Sequence, residues 1–296
     1  MVSIAMATYN GAKYLREQLD SICAQTINDY ELIVCDDCST DDTYAILKEY
    51  ALKDARIRVY KNEVNLGFKK NFEKAISLCK GEYIALSDQD DIWYNNHLEI
   101  LLNNIGDNIL ACADEELVDY SGHSLGMTVG KQLRLTRIPS ASIAFAKTYF
   151  CYRSAFMGAC MLMKKKIVKY ALPIPSEIKY HDSWFFILSC FCGGVVYINY
   201  PISKFRQHGD NASGNRVRRW TNPIFTFWKR LFSYPESLHD REMIAEMLIE
   251  RVNPLMKRDK VFLSEMLQYH RQKDSFWGRI KNVMYDLSHF RVIFTC

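Results

Sequence analysis

Three acids and one amide stand together in Ser87-Asp88-Gln89-Asp90-Asp91-Ile92-Trp93, directly after the apolar run Tyr83-Ile84-Ala85-Leu86. Acids this close repel one another, more strongly as they are buried, so a cluster of this kind suits a bound cation. One or two carboxylates, with water and phosphate oxygens completing the shell, is the usual arrangement for Mg²⁺ or Mn²⁺. The same residues would also serve as an acidic turn, with Asp90 or Asp91 capping a following helix. Other polar groups follow other short apolar runs: Thr8-Tyr9-Asn10-Gly11, then Asp36-Asp37 within Cys35-Asp36-Asp37-Cys38-Ser39, then Asn65-Leu66-Gly67. A further acid, Asp182 in Tyr180-His181-Asp182-Ser183-Trp184, immediately precedes a long uncharged stretch.

The elements that must position these groups alternate. Val2 to Ala7, Glu31 to Cys35, Ile57 to Tyr60 and Tyr83 to Ser87 read as strands, while Ala12 to Cys23, Thr43 to Tyr50 and Lys70 to Cys79 read as the helices between them. This order predicts an α/β fold with a mainly parallel, doubly wound sheet. In such a sheet the polar strand ends open on one edge and line one crevice. No Gly-x-Gly-x-x-Gly or Gly-Lys-Ser/Thr loop occurs, which disfavours dinucleotide binding and a P-loop ATPase. Farther on, Ile109 to Ala113 reads as a strand that Asp114 to Ser121 leaves for a polar region. His123 to Ser154, with Lys131, Arg134 and Arg137, reads as a loop-rich flap. Phe156 to Met163 reads as a strand whose small residues, Gly158 among them, admit a ligand or a second backbone, or as a core strand with a bulge.

A chain of 296 residues that is 49% hydrophobic, 24% charged and 13% aromatic has ample material for a core. Its net charge of +4 is too small to argue for nucleic acid. Ten irregularly spaced cysteines, many inside apolar runs, suit buried thiols and a cytoplasmic setting. The beginning of the chain does not read as a secretory signal. Ser183 to Ser203 carries no charge, but Gly193-Gly194 and Pro201 interrupt it, so helix, turn and the strand Val195 to Ile198 are expected in place of a membrane span. From Arg216 to Phe232 basic and aromatic residues interleave, and Met243 to Ile249, Val261 to Tyr269 and Phe276 to Phe294 read as amphipathic helices. These suit either peripheral contact with an anionic membrane or packing on the rest of the protein.

Ala7-Thr8-Tyr9-Asn10-Gly11, Val34-Cys35-Asp36-Asp37-Cys38-Ser39-Thr40-Asp41, Asn65-Leu66-Gly67-Phe68 and Ser87-Asp88-Gln89-Asp90-Asp91-Ile92-Trp93 together resemble the GT-A fold, family 2 glycosyltransferases. The fourth motif resembles the rhamnosyltransferase-like branch that builds bacterial surface polysaccharides. The resemblance implies a catalytic domain over residues 1–215, with a nucleotide-binding half (1–115) and an acceptor half (116–215), followed by a helical region over 216–296. It implies a donor site in which Thr8, Asn10, Asp36, Asp37 and Asn65 hold the nucleotide and Asp88 faces the ribose or sugar. Asp90 and His208 would hold Mg²⁺ or Mn²⁺, Arg206 the diphosphate, and Lys69 or Lys70 would supply a basic residue near the donor. Asn65-Leu66-Gly67 also suits a plain turn. Asp182 matches the family's catalytic base, with His181 where Glu is common, although Asp182 could also cap a helix. Trp93, Gly158, His181 and Trp184 would line the acceptor.

The implied reaction is inverting, metal-dependent transfer of a sugar from dTDP-rhamnose or a UDP-sugar to a bacterial polysaccharide or a lipid-linked oligosaccharide. The alternatives are a nucleotidyltransferase acting on sugar phosphates, for which a Gly-rich basic loop would be expected after the first strand, and a non-catalytic carbohydrate-binding module.

Overall fold

Alternating apolar residues in Val2–Thr8 (β1) serve both faces of a central strand: Ala5 packs on one side, Ile4 and Met6 on the other. The computed structural model describes residues 1–133, 158–209 and 246–252. After β1 come α1 (Ala12–Cys23), β2 (Tyr30–Asp36), α2 (Thr43–Lys53), β3 (Ile57–Lys61), α3 (Phe68–Leu78) and β4 (Tyr83–Ser87). There follow β5 (Ile92–Trp93), α4 (His97–Ile105), β6 (Leu110–Val118), β7 (Ser124–Thr128) and α5 (Val129–Leu133). Beyond a short 3₁₀ turn at Gly158–Cys160 lie β8 (Met161–Lys164), α6 (Val168–Ala171), α7 (His181–Cys192) and β9 (Val195–Arg206).

These strands form one sheet in the order β3-β2-β1-β4-β8-β6-β9-β5, with β7 paired to β6. β3, β2, β1 and β4 are mutually parallel, as the alternation predicts. Past β4 the sheet is mixed: β8 runs antiparallel to both β4 and β6, and β5 runs antiparallel to β9. Register sets the polar ends side by side, with Thr8 opposite Asp36 and Met6 opposite Ser87. One face of the sheet packs on Phe72, Ala75 and Ile76 of α3 and on the apolar α7; the other packs on α1, α2 and α4. A helix as apolar all round as α7 must be covered on most sides, and its Trp184 Nε1 finds a partner in the Ala171 carbonyl (3.0 Å).

Four expectations change, and the first concerns the stretch from His123, read as a loop-rich flap, which opens with β7 and α5. β6 does not end at Ala113 but continues through Asp114 and Glu115, and β9 does not end at Ile198 but reaches Arg206. The two pair in parallel along their length, and the polar groups they bury find partners: Asp114 accepts from Thr128 Oγ1 and Gly130 N, and Ser203 Oγ donates to Glu115. Gly158–Cys160 is a 3₁₀ turn, and the strand begins only at Met161. The uncharged stretch resolves into α7, a Gly193-Gly194 turn at positive φ, and β9. No helix among the described residues is long and apolar enough to cross a membrane. Arg134, Arg137, the basic-aromatic stretch from Arg216, most of the expected C-terminal helices and the boundary at 215 lie outside the described residues.

Candidate active site

Each loop leaving a parallel strand is held by its neighbour. Thr8 Oγ1 donates to Asp36 (3.2 Å), which also accepts from Ser39 N (3.1 Å) and Ser39 Oγ (2.5 Å). Asn10 takes a left-handed conformation (φ 47°), and its Oδ1 accepts from Thr40 N (2.9 Å). Asp41 accepts from Ala12 N and Thr43 N, the first backbone groups of α1 and α2, so one carboxylate serves two helix starts. Asp37 is buried and accepts from Asn62 Nδ2 (2.7 Å), Leu66 N (2.8 Å) and Gly67 N (2.8 Å). Asn65 closes the same turn, its Nδ2 donating to the Asp37 carbonyl and its Oδ1 accepting from Gly67 N. The expected nucleotide residues of the first three loops are thus one hydrogen-bonded rim, and the exposed side chains of Tyr9, Val64, Leu66 and Phe68 flank it.

The fourth loop closes that rim. Gln89 bridges to Tyr9, accepting from its N–H (2.9 Å) and donating to its carbonyl (3.0 Å). It packs so tightly over Gly11 that a Cβ there would lie 2.3 Å from its Oε1. The lone amide among the acids is the signal for this strap, and the sequence reading assigns Gln89 no role. Asp88 is half-buried beside it. Asp90 meets His208 across 118 residues of chain, Oδ2 to Nε2 2.8 Å, both side chains largely buried. Tyr14 flanks this pair, its ring centroid 4.8 Å from that of His208. Asp91 lies wholly inside, where burial and then the neighbouring Glu115 carboxyl hold it well above the usual carboxylate range.

Arg206, expected on the diphosphate, is buried as the last residue of β9. Its Nε donates to the Asp90 carbonyl (3.0 Å), its Nη1 to the Tyr120 carbonyl (3.1 Å), and its Nη2 to Glu17. In this position the guanidinium braces the backbone of the acidic loop. Lys70, expected near the donor, pairs with Glu73 (3.0 Å) on the exposed side of α3. Lys69 reaches the other way, to the segment before α7.

Asp182 sits in the first turn of α7, where an acid is favoured by the helix dipole, and accepts from Ser183 N (2.6 Å). The residue flanking the helix start is Tyr180, with no side-chain cap. Gly158 lies between Asp182 and β4: a Cβ there would stand 3.3 Å from Asp182 Cβ, 3.5 Å from His181 Nε2 and 3.9 Å from Leu86 Cδ1. Gly158 therefore stands between the acid and Leu86, on the strand that leads into Asp88 and Asp90. His181 stacks on Phe72 (4.0 Å), both ring nitrogens buried without a hydrogen bond, and burial lowers its pKa against the opposing pull of Asp182. Trp93 and Trp184, expected at the acceptor, are core side chains: Trp93 stacks on His97 at 3.9 Å, and Trp184 is fully buried.

The sequence profile described as glycosyl transferase family 2 matches residues 3–170. An uncharacterised glycosyltransferase of Rickettsia typhi is 37% identical over 78% of this chain and 72% of its own. The chain spans only 46% to 64% of the length of three other matching glycosyltransferases. Among solved structures, the mannosyltransferase PcManGT of Pyrobaculum calidifontis, in complex with GDP-Man and Mn²⁺, superimposes with a TM-score of 0.60 at 16% identity, covering 97% of this chain and 74% of that one. S. aureus TarS 1–349 in complex with UDP-GlcNAc does so with a TM-score of 0.56 at 17% identity, covering 99% and 90%. Those likenesses are of fold, and they identify the mixed sheet with its flanking helices as a GT-A architecture. Since the matched profile covers more than half of the polypeptide, the chain belongs to glycosyl transferase family 2.

Proposed function

We propose that this glycosyltransferase moves a sugar, with inversion, from a nucleoside diphosphate donor to a saccharide acceptor. The observation that carries this reading is that Asp90 meets His208 just past β4 while Asp182 packs on Gly158, which also neighbours Leu86 of that strand. The rim from Thr8 to Gly67 would hold the nucleotide, with Asp37 as its central carboxylate. Two carboxylate oxygens offer about four acceptor sites, and Asn62, Leu66 and Gly67 occupy three of those on Asp37, so one is left for a base N–H. The exposed apolar side chains beside it suit the flat face of a base.

Asp90 and His208 would hold Mg²⁺ or Mn²⁺. Among the described residues no group of three or more His, Cys, Asp or Glu side chains could hold an ion alone, so the rest of the shell would come from diphosphate oxygens and water. One carboxylate and one imidazole, already in contact, fit that donor set. The cation would offset charge on the leaving diphosphate. Asp182 would take the proton of the acceptor hydroxyl as its oxygen bonds to the anomeric carbon and the bond from that carbon to the diphosphate breaks. Solved structures of the same fold hold GDP-Man with Mn²⁺ in one case and UDP-GlcNAc in another, which supports the donor class. A polysaccharide or lipid-linked oligosaccharide is the acceptor class this reading favours.

The test begins with a panel of UDP-, dTDP- and GDP-sugars, read by thermal shift with Mn²⁺ and then by release of nucleoside diphosphate. Asp90→Ala and Asp182→Asn should each lower release at least about a hundredfold, a scale set by loss of a general base. Only Asp90→Ala should weaken donor binding in the presence of metal. Equal loss of binding in both would refute the division of roles, and release of pyrophosphate would mark a nucleotidyltransferase.

A further inference from the structure

α3 carries two working faces. Asn71, Phe72, Ala75 and Ile76 are buried, Phe72, Ala75 and Ile76 in the core against the sheet. Phe68, Lys69, Phe72 and Glu73 form a second stripe, since 68 and 72, and 69 and 73, are neighbours one turn apart. Lys69 and Glu73 bond to the connector between α6 and α7, and Phe68 and Phe72 face the start of α7. Lys69 Nζ donates to the carbonyls of Pro175 (3.1 Å), Ser176 (2.7 Å) and Ile178 (2.9 Å). Glu73 Oε2 accepts from Ile174 N (2.8 Å). Phe72 stacks on His181, and Phe68 lies 6.2 Å from both Tyr180 and His181.

An ammonium has three protons to donate, and here three carbonyls receive them. Residues 172–180 include no helix or strand, and the Pro175 carbonyl also accepts from Ile178 N (3.2 Å) in a turn. The same helix starts at Gly67, whose N–H is bound by Asp37 on the nucleotide rim. One rigid rod is thus fixed at its start to the donor side and, along its flank, to the segment that ends four residues before Asp182.

We infer that Lys69 and Glu73 are positioning residues for proton transfer: they strap the connector from Ile174 to Ile178 onto α3 and so hold the first turn of α7, with Asp182, against Gly158. This rests on the reading of Asp182 as the base. The geometry gives Lys69 a task different from contact with the donor phosphates, which its place in the sequence suggests.

The experiment uses the full chain with Lys69→Met, Lys69→Arg and Glu73→Gln. Three readouts apply: titration with UDP in the presence of Mn²⁺, steady-state release with the sugar nucleotide that the panel identifies, and hydrogen exchange. In Lys69→Met, kcat should fall about 10²-fold, the cost of a misplacement near 1 Å, with KM for the donor and UDP affinity within about twofold of wild type. Amides of residues 176–184 should exchange at least about tenfold faster while those of β1 and β4 stay protected. Lys69→Arg, which can still donate to several carbonyls, should recover most of kcat, and Glu73→Gln should show a smaller loss of the same kind. A parallel loss of UDP affinity would return Lys69 to the donor site and overturn the inference, as would unchanged kcat or exchange that rises throughout the sheet. If Asp182→Asn retains full transfer, the base reading fails by itself; the exchange of residues 176–184 still reports whether the strap exists.

Discussion

At the residue scale the proposed chemistry rests on a close approach that only a small side chain permits. A Cβ on Gly158 would meet Asp182, His181 and Leu86 all within 3.9 Å, and its backbone is not in the left-handed region that favours glycine. Gly158→Ala therefore tests space alone. The added carbon would meet Asp182 Cβ at 3.3 Å, so the acid must give by a few tenths of an ångström. Overpacking of this kind costs about 1–3 kcal/mol when backbone has to move, but the first turn of α7 can yield at the low end of that range. The expected result is a fall of about tenfold in kcat with little change in melting temperature or UDP affinity, since displacing the proposed base would slow transfer without disturbing the proposed donor rim. Loss of UDP affinity would place Gly158 in the donor site. As candidates, Asp90, Asp182 and His208 stand out in the string because acids and imidazoles mark themselves against an apolar pattern, and the contact between Asp90 and His208 is what the fold adds. Arg206 is equally visible, but nothing in its neighbours tells that β9 continues to carry it into the interior and onto the Asp90 carbonyl.

At the element scale α3 matters most, and its start is set by one backbone conformation. Gly67 adopts φ 80° and ψ 153°, a region essentially closed to other residues, with nothing within 4 Å of where a Cβ would stand. Gly67→Ala should therefore destabilise through the backbone alone, by about 1–3 kcal/mol. Exchange should quicken first at Leu66, Gly67 and the first turn of α3, which is where hydrogen-exchange mass spectrometry would look. A loss confined to distant strands would argue against this origin. The turn was readable because Asn and Gly dominate turns, and the first four strands were readable because apolar runs stop at polar clusters. Of β6 and β9 only the apolar beginnings, Ile109 to Ala113 and Val195 to Ile198, are readable, since Asp114, Glu115, Ser203 and Arg206 break the apolar pattern that marks a strand. Glu115 and Ser203 meet each other, Asp114 meets Thr128 and Gly130, and Arg206 reaches Glu17 and the Asp90 and Tyr120 carbonyls, so the pairing that makes burial tolerable belongs to the tertiary structure. The Lys69 strap was hidden for the same reason: three carbonyls 106 to 109 residues away leave no mark on the local sequence.

At the scale of the whole molecule, the mixed sheet keeps ionisable groups in its interior, and this makes stability depend on pH. His97 is fully buried where α4 meets β9, its Nδ1 3.2 Å from the Ile202 carbonyl and its ring stacked on Trp93. Burial lowers its pKa from 6.5 to about 3, against a smaller opposing effect of that carbonyl. His181 is displaced in the same direction. Between the folded value and 6.5 the unfolded chain binds a proton that the folded chain refuses, so acidification favours unfolding. The stability at issue is fully present above 6.5 and falls by about 1.4 kcal/mol per pH unit below it. Asp91, whose carboxyl is held well above the usual carboxylate range by burial and then by Glu115, has the opposite sign, because its cost to the folded state is relieved as pH falls. A comparison that keeps Asp91 and His181 unchanged isolates His97. In His97→Asn the side-chain amide can still donate to Ile202, while the smaller volume lowers stability by a similar amount at every pH. The quantity to read is the difference in urea-unfolding free energy between about pH 7.5 and about pH 5, which should be larger in wild type than in the variant by about 2 kcal/mol. Equal differences in the two proteins would show that His97 takes up its proton without unfolding the sheet around it.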